Sequence, residues 1–260
     1  MSTGPLAGLT LVVTRPAAQA GPFIAMATAA GARCIALPTL EIESLPVPQE
    51  QVASLLETRW DWAIYTSANA VLAASAQLSR VRAAQVAAVG GATARALTAL
   101  GATVHAVPAG RADSEGLLQL PIFSNVSGMH ILIMKGAGGR VLLQTELTAR
   151  GAHVQALELY RRTQARPDTA AVEQLHEALA ASARVVVLAT SAEILAALLQ
   201  ITPSVDLATL RTCRLIVPGA RVAAEAARLG WKGPVSAAAT AEDSAMLDAV
   251  SAAESRAPDA

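Results

Sequence analysis

The chain has 260 residues, of which 53% are hydrophobic and 15% charged, and its net charge at pH 7 is zero. This composition is typical of a compact globular protein, with room for one large domain or two smaller ones. Balanced charge and an aromatic content of 3% argue against binding to nucleic acid, which needs a basic surface or a stacking platform. No apolar run approaches the roughly 18 residues of a membrane span. The N-terminal residues lack a signal-peptide pattern, so we expect a cytoplasmic protein without membrane contact.

Cysteine and histidine are too sparse to indicate a metal site. We interpret Cys34 and Cys213 as buried small side chains in a reducing compartment rather than redox groups. The four histidines are scattered along the chain without the spacing of metal ligands. We therefore expect neither a metal ion nor another cofactor.

Short apolar runs alternate along the chain with stretches that are rich in alanine and leucine. The runs predict strands at 9–13, 63–66, 85–89, 104–108, 130–134, 185–190, 214–218 and 234–239. The intervening stretches predict helices at 17–30, 69–78, 93–100, 115–120, 140–150, 168–181, 193–200, 220–229 and 242–252. Most of the strands lack polar-apolar alternation, which is typical of strands buried on both faces. The expected fold class is therefore α/β, with parallel sheets covered by helices.

The same order of elements occurs twice. At an offset of 120 residues, 9–40 aligns without a gap with 129–160, and 63–71 and 89–101 match 186–195 and 218–230. This duplication predicts two similar α/β lobes, and a cleft between lobes is a natural ligand site. Two further stretches, 35–46 and 156–166, alternate polar and apolar residues and occupy matching places in the repeats. We interpret both as extended connectors between the lobes.

Two Thr-Ser pairs stand where a predicted strand ends and a helix begins. They are Thr66-Ser67 and Thr190-Ser191. At the carboxyl end of a parallel strand, hydroxyls and unpaired helix-start N–H groups can bind an anion. Serine and threonine are also preferred N-caps. The residues alone leave both interpretations open.

Glycine-rich turns follow two of the predicted strands. In GAGGR (136–140) the glycines would let the backbone approach a ligand, and Lys135 and Arg140 add positive charge. The segment matches neither the dinucleotide fingerprint nor the phosphate-loop motif, and a plain tight turn remains the alternative. The other turn, GGAT (90–93), also has spare N–H groups. Arg15-Pro16 holds the place of GAGGR in the first repeat.

Tyr160 lies in the second connector beside Arg161 and Arg162. A phenol there can give a proton or a hydrogen bond to a ligand, or it can simply pack its ring under the connector. We recognise no Ser-His-Asp set, catalytic cysteine or carboxylate pair in the sequence. An enzyme built on this chain would use little conventional machinery.

Taken in order, these segments resemble the uroporphyrinogen-III synthase family. The resemblance is carried by VVTRP (12–16), P-x-x-x-I-E (38–43), YTSANAV (65–71), AVGGATARAL (88–97), ADSEGLL (112–118), ILIMKGAGGR (131–140), GA-x-V (151–154), LELYRR (157–162), the second Thr-Ser stretch and IVPGARVAAEAARLG (216–230). It extends from residue 9 to about residue 250. Each motif is weak alone, whereas their order and spacing together are specific.

The resemblance implies two α/β lobes joined by a two-stranded antiparallel ladder. Residues 1–37 and 167–260 would form lobe 1, 38–46 and 156–166 the ladder, and 47–155 lobe 2. Each repeat would begin in one lobe and finish in the other, so the chain would cross between lobes twice. Arg15 would then belong with Thr190 and Ser191.

The resemblance also implies a reaction, the cyclisation of hydroxymethylbilane to uroporphyrinogen III without a cofactor. Ring A would lose its hydroxyl as water to leave an azafulvene, and ring D would attack, pass through a spiro intermediate and reclose inverted. By position, Tyr160 would assist departure of the hydroxyl. The residues expected to contact substrate carboxylates are Arg15, Thr66, Ser67, Ala68, Thr93, Lys135, Gly136, Arg140, Thr190 and Ser191. Val222 stands where the other repeat has Thr93, so carboxylate contacts there would rely on Arg221 or on backbone.

The remaining expectations concern partners and an alternative function. The family resemblance favours a monomer, with a transient contact to the preceding enzyme of the pathway as a further possibility. The alternative is a non-catalytic two-lobed protein that binds anions or regulates, which the duplicated units and the lack of conventional catalytic groups would also fit.

Overall fold

The computed structural model describes residues 4–110, 113–181 and 184–255. Ala112, which opens the motif at 112–118, and both ends of the predicted lobe 1 lie outside the described residues. The strands are β1 (Leu9–Val13), β2 (Arg33–Ala36), β3 (Leu40–Ser44), β4 (Trp60–Tyr65), β5 (Ala83–Ala88), β6 (His130–Gly136), β7 (His153–Gln164), β8 (Arg184–Leu188), β9 (Arg214–Pro218) and β10 (Val235–Ala238). The helices are α1 (Ala17–Ala29), α2 (Gln49–Glu57), α3 (Ala68–Gln77), α4 (Gly91–Ala99), α5 (Ser114–Leu118), α6 (Leu142–Ala149), α7 (Thr169–Ala180), α8 (Ala192–Ile201), α9 (Ser204–Leu210), α10 (Gly219–Arg228) and α11 (Asp243–Glu254), with a 3₁₀ turn at Pro121–Phe123.

The first compact unit consists of the chain up to Glu41 and from Thr163 onward. Its sheet has the order β10-β9-β8-β1-β2, and each neighbouring pair is parallel. β1 is buried along its whole length and alternates between two apolar clusters, with Val12 in one and Leu11 and Val13 in the other. A sheet with both faces covered by helices is the α/β fold that the unalternating apolar runs predicted. Since β1 pairs with β8, the first strand does join the later half of the chain.

The second compact unit is Ile42–Arg162. Its sheet has the order β3-β7-β6-β4-β5, and the β7-β6, β6-β4 and β4-β5 pairs are parallel. The chain therefore passes from the first unit to the second within β3 and returns within β7. The strand predicted at 104–108 is reduced to a single parallel bridge between Ala87 and Ala106. Pro108 has no N–H to donate, which limits pairing at this edge position.

The long strand β7 differs from the predicted connector at 156–166. Its residues from His153 to Tyr160 pair in parallel with β6, so the first part of that stretch belongs to the sheet itself. On its other side, the Leu45 N–H donates to the Leu159 carbonyl at 2.9 Å. Arg161 donates from Nε and Nη2 to the Glu43 carboxylate, at 2.8 Å each. A separate antiparallel ladder with the predicted boundaries remains a prediction.

Three elements were missing from the sequence prediction. β2 was included in the first connector, although it adds to the edge of the first sheet beside β1. The helix α2 buries a single residue, Leu55, and the helix α9 has only seven residues. α2 has too few buried apolar residues, and α9 is too short, to show a clear 3.6-residue period in the sequence.

Candidate active site

Ser67 stands at the carboxyl end of β4 and is the N-cap of α3. Its Oγ accepts the Ala70 N–H at 3.1 Å. The preceding Thr66 is bound to the neighbouring strand, because its N–H and its Oγ1 donate to the Met134 carbonyl at 3.1 and 3.2 Å. The capping interpretation is therefore correct for Ser67. Capping uses only one of the two acceptor positions of a hydroxyl, so the Ser67 side chain can make further hydrogen bonds.

Tyr160 supplies the second partner of Ser67. Its phenolic oxygen lies 2.9 Å from Ser67 Oγ, although the two residues are 93 positions apart in the sequence. The Tyr160 side chain is buried in the apolar cluster between the sheet and α3. Arg162 approaches the same phenol, with Nη2 3.4 Å from the hydroxyl and the guanidinium carbon 5.8 Å from the ring centroid. The site thus joins the carboxyl end of β4 to β7.

Gly136 makes this contact possible. β6 lies between β7 and β4 in the sheet, and Gly136 is the last residue of β6 and the register partner of Tyr160. A β-carbon at Gly136 would lie 2.6 Å from Tyr160 Cζ and 2.9 Å from its hydroxyl oxygen. Such distances are well inside van der Waals contact. The glycine therefore leaves the space that the phenol occupies as it reaches across the end of β6 toward Ser67.

The loop after β6 is a tight turn held by Lys135. Lys135 is buried, and its Nζ donates to the Gly139 carbonyl at 2.8 Å and lies 3.8 Å from a Glu158 carboxylate oxygen. Gly138 has a φ of +68°, a left-handed conformation that favours glycine. GAGGR therefore forms a tight turn, and that it also approaches a ligand stays a prediction. Contact between Lys135 and a substrate remains a prediction.

The other residues predicted to contact substrate in this unit also lie at helix starts or on the surface. Ala68 is the first residue of α3, and Thr93 is buried near the start of α4. Arg140 is exposed and pairs with the Glu115 carboxylate, at 2.9 and 3.2 Å. Within the described part of the chain, no side-chain hydrogen bond or ring contact joins any of these three residues to Tyr160. They remain predicted binding residues.

In the first unit, Ser191 repeats the cap of Ser67. Its Oγ accepts the Ile194 N–H at 3.2 Å at the start of α8, directly after the partly buried Thr190. Arg15 follows β1, is buried and forms an ion pair with Asp243, and its guanidinium carbon lies 5.1 Å from the Phe23 ring centroid. Arg15 thus belongs to the same unit as the second Thr-Ser pair, as predicted.

Sequence reasoning did not assign a role to Arg162 or to Asp243. A signal for Arg162 was present, since residues two apart on a strand point to the same face and Tyr160 is two positions before it. For Asp243 the chain separation of 228 residues from Arg15 left no local signal. No signal in the sequence indicated that Gly136 leaves space for the Tyr160 ring, because only the register of β6 and β7 shows that the two residues lie opposite each other.

The two cysteines are less buried than the sequence predicted. Cys34 and Cys213 are only partly buried rather than fully buried, and both are free thiols. Burial raises the pKa of the Cys213 thiol to about 11 and also raises the pKa of Cys34. Burial likewise raises the pKa of the other tyrosine, Tyr65. Hydrogen bonds from Arg161 lower the pKa of Glu43.

Residues 4–110, 113–181 and 184–255 contain neither a metal-binding cluster nor a membrane-spanning helix. No group of three or more His, Cys, Asp and Glu side chains within them is arranged to hold a metal ion. None of the helices in this part of the chain combines the length and the apolar character required to cross a membrane.

Comparison with known proteins points to one family. The model of the family described as uroporphyrinogen-III synthase HemD matches residues 22–248. The uroporphyrinogen-III synthase of Salmonella typhimurium is 34% identical over 251 residues, which cover 93% of this chain and 100% of that protein. The enzyme of the same name from Escherichia coli is 34% identical over 253 residues, with the same coverage.

Solved structures of proteins with this name share the fold. A mutant uroporphyrinogen III synthase from Thermus thermophilus matches with a TM-score of 0.57 and 24% identity, covering 96% of this chain and 99% of that one. A uroporphyrinogen-III synthetase from Helicobacter pylori matches with a TM-score of 0.59 and 14% identity, covering 95% of this chain and 100% of that one. At these identities the structural likeness supports the α/β architecture only.

Proposed function

The chain belongs to the uroporphyrinogen-III synthase family, and we propose on that premise that it cyclises hydroxymethylbilane to uroporphyrinogen III with Tyr160 assisting loss of the ring A hydroxyl. Membership of the family makes the chain an enzyme, a cyclising lyase of haem biosynthesis. The observation that supports the role of Tyr160 is its hydrogen bond to Ser67 at the carboxyl end of β4. Carboxyl ends of parallel strands are where ligands bind in α/β sheets.

The first step needs a proton for a poor leaving group. A proton passes to the hydroxyl oxygen of ring A, the C–O bond breaks with its electron pair going to oxygen, and departure of water produces a cationic azafulvene that keeps its pyrrole N–H. A phenol held by hydrogen bonds can supply that proton, and general acid catalysis of this kind contributes roughly 10²- to 10⁴-fold. The phenolate regains a proton when the closed macrocycle loses one to restore its last pyrrole. Protons and water therefore balance over the cycle.

The later steps depend on orientation. The substituted α-carbon of ring D attacks the azafulvene, and the spiro intermediate fragments and recloses with ring D inverted. Holding the chain in the conformation for this attack excludes direct closure without inversion, and such positioning needs no metal or nucleophilic side chain. The conformation would be fixed by carboxylates of the substrate at the starts of α3 and α4, where the N–H groups of the first turn lack intrahelical acceptors.

Cationic side chains would add to carboxylate binding. Arg140 is exposed, so its guanidinium is accessible to a carboxylate although it pairs with Glu115. Arg15 and Lys135 are buried and already engaged, with Asp243 and with the Gly139 carbonyl. A substrate carboxylate would have to compete with these partners. We therefore expect Arg140 and the N–H groups at the helix starts to contribute more to carboxylate binding than Arg15 and Lys135 do.

A non-catalytic binding protein, the alternative from the sequence, is not favoured, since the family and the named relatives are enzymes. A monomeric state, a cytoplasmic location and a transient contact with the preceding enzyme remain predictions. So does the absence of a cofactor from the reaction.

The test of the proposed function is the isomer of the product. The protein is incubated with hydroxymethylbilane, and the uroporphyrinogens are oxidised and separated as uroporphyrins I and III. We expect isomer III to dominate and to increase with enzyme concentration. Hydroxymethylbilane closes without enzyme to isomer I, so an isomer I product at every enzyme concentration would reject the function.

A further inference from the structure

The geometry points to Ser67 as the group that meets the leaving hydroxyl, with Tyr160 acting through it. This inference rests on the proposed function, and it changes the role of Ser67 from carboxylate binding to proton transfer. It begins from the number of hydrogen bonds that the Ser67 hydroxyl can make. A serine hydroxyl has one proton to donate and two acceptor positions.

Two groups of the site are hydrogen-bonded to the Ser67 hydroxyl. One acceptor position takes the Ala70 N–H at 3.1 Å, and this bond has only one direction because an N–H donates. The Tyr160 hydroxyl lies 2.9 Å from the same oxygen. If the phenol donates here, both acceptor positions of Ser67 are filled. The proton of Ser67 is then left for a third partner.

Arg162 favours that direction for the phenol. Its guanidinium can only donate, and Nη2 lies 3.4 Å from the phenolic oxygen, a long contact on its acceptor side. The order from donor to acceptor is therefore Arg162, Tyr160 and Ser67.

The different exposure of Tyr160 and Ser67 agrees with this order of donors and acceptors. Tyr160 is only 3% exposed, whereas Ser67 at the start of α3 is partly exposed. A substrate oxygen can approach Ser67 more easily than it can approach the covered phenol. In the transfer, the Ser67 proton goes to the leaving oxygen as its C–O bond breaks. Ser67 takes the Tyr160 proton, and the phenolate remains beside Arg162 until product formation returns a proton.

The experiment is a double-mutant cycle with Ser67→Ala, Tyr160→Phe and the double variant. For each we would measure kcat and KM for formation of isomer III from hydroxymethylbilane. Both hydroxyls act in one transfer, so we expect each single variant to lose roughly 10²- to 10⁴-fold in kcat with little change in KM. The double variant should lose no more than either single variant, because residues that act as a unit are not additive.

Two further variants control for the lost helix cap. Ser67→Thr keeps a hydroxyl that can cap and relay, and we expect it to recover most of kcat. Asp168→Ala removes the cap of α7, where the carboxylate accepts the Ala170 N–H at 3.1 Å, and α7 belongs to the first unit whereas Ser67, Tyr160 and Arg162 belong to the second. It should lower the melting temperature as Ser67→Ala does without lowering kcat.

Three results would overturn the inference. One is a rise in KM for Ser67→Ala with kcat unchanged, which is the behaviour of a carboxylate-binding residue. Another is a double variant whose loss equals the product of the two single losses, which would mean independent action. The third is a kcat for Ser67→Ala that matches Asp168→Ala. Failure of the proposed function has a different signature, since the wild-type protein would then form isomer I alone.

Discussion

Tyr160 in the second unit and Leu40 in the first hold equivalent positions in the two repeats. The two sheets agree in strand order, because β6 lies between β7 and β4 as β1 lies between β2 and β8, although Tyr160 lies on β7 itself and Leu40 lies beyond β2, at the start of β3. The serine caps agree as well. Ser67 has φ −162° and ψ 161°, Ser191 has φ −157° and ψ 162°, and each begins a helix of ten residues.

The difference lies in what the cap contacts. Ser67 is hydrogen-bonded to the phenol of Tyr160, whereas Leu40 has no polar group and is buried in an apolar cluster of the first unit. The cap itself is therefore a structural feature shared by both units. The phenol, and the glycine that makes room for it, are what the second unit adds. This difference locates the proposed chemistry in one copy of a duplicated framework.

The largest expected effect comes from making the second unit resemble the first by removing its phenolic hydroxyl. Tyr160→Phe keeps the buried ring and loses the proton donor, so we expect the rate of isomer III formation to fall roughly 10²- to 10⁴-fold. The matched control is Tyr65→Phe, which removes the other tyrosine hydroxyl of the same unit. We expect it to retain the wild-type rate. Wild-type turnover by Tyr160→Phe, with an intact circular dichroism spectrum, would remove Tyr160 from the mechanism.

A smaller effect is expected from filling the space under the phenol. In Gly136→Ala the new methyl group would overlap the ring, which must shift. Overpacking of this kind costs about 1–3 kcal/mol of unfolding free energy. A shift of the catalytic group by about 1 Å can cost about 10²-fold in rate.

The control for this substitution is Gly21→Ala in α1. There a β-carbon would meet nothing within 4 Å. Chemical denaturation and kcat would be measured for both variants. Equal behaviour of the two variants would show that Gly136 is a turn residue with no part in placing Tyr160.

Much of the framework could be predicted from the sequence, because it depends on local patterns. Continuous apolar runs predicted buried parallel strands, and the family resemblance implied that the first strand belongs with the later half of the chain. The serine caps could also be predicted, since Ser67 and Ser191 stand directly between a predicted strand and a predicted helix. Short elements such as β2 and α9 were missed because they span too few residues to show a period.

The contacts at the site were beyond local patterns. Tyr160 and Ser67 meet because a sheet places β7 and β4 on either side of β6, and a register shift between Lys135 and Gly136 sets Tyr160 opposite a glycine. No periodicity in the sequence reports a register shift. The family resemblance identified Tyr160 as important, but its connection to Ser67 depends on the geometry of the sheet.

The smallest expected effect is that of Ser191→Ala, which tests the comparison from the side of the first unit. Loss of this cap should cost about 1 kcal/mol of unfolding free energy, as loss of a serine cap typically does. If Ser191 also binds a carboxylate, KM should rise roughly three- to tenfold, the worth of about one hydrogen bond. The position equivalent to Tyr160 in the first repeat is Leu40, which cannot donate a proton. We therefore expect Ser191→Ala to keep the wild-type kcat even where its KM rises. Thermal melts and steady-state kinetics beside Ser67→Ala would separate the two serines. A fall in kcat as large for Ser191→Ala as for Ser67→Ala would mean that both caps take part in the chemistry, and that the phenol does not distinguish the two units.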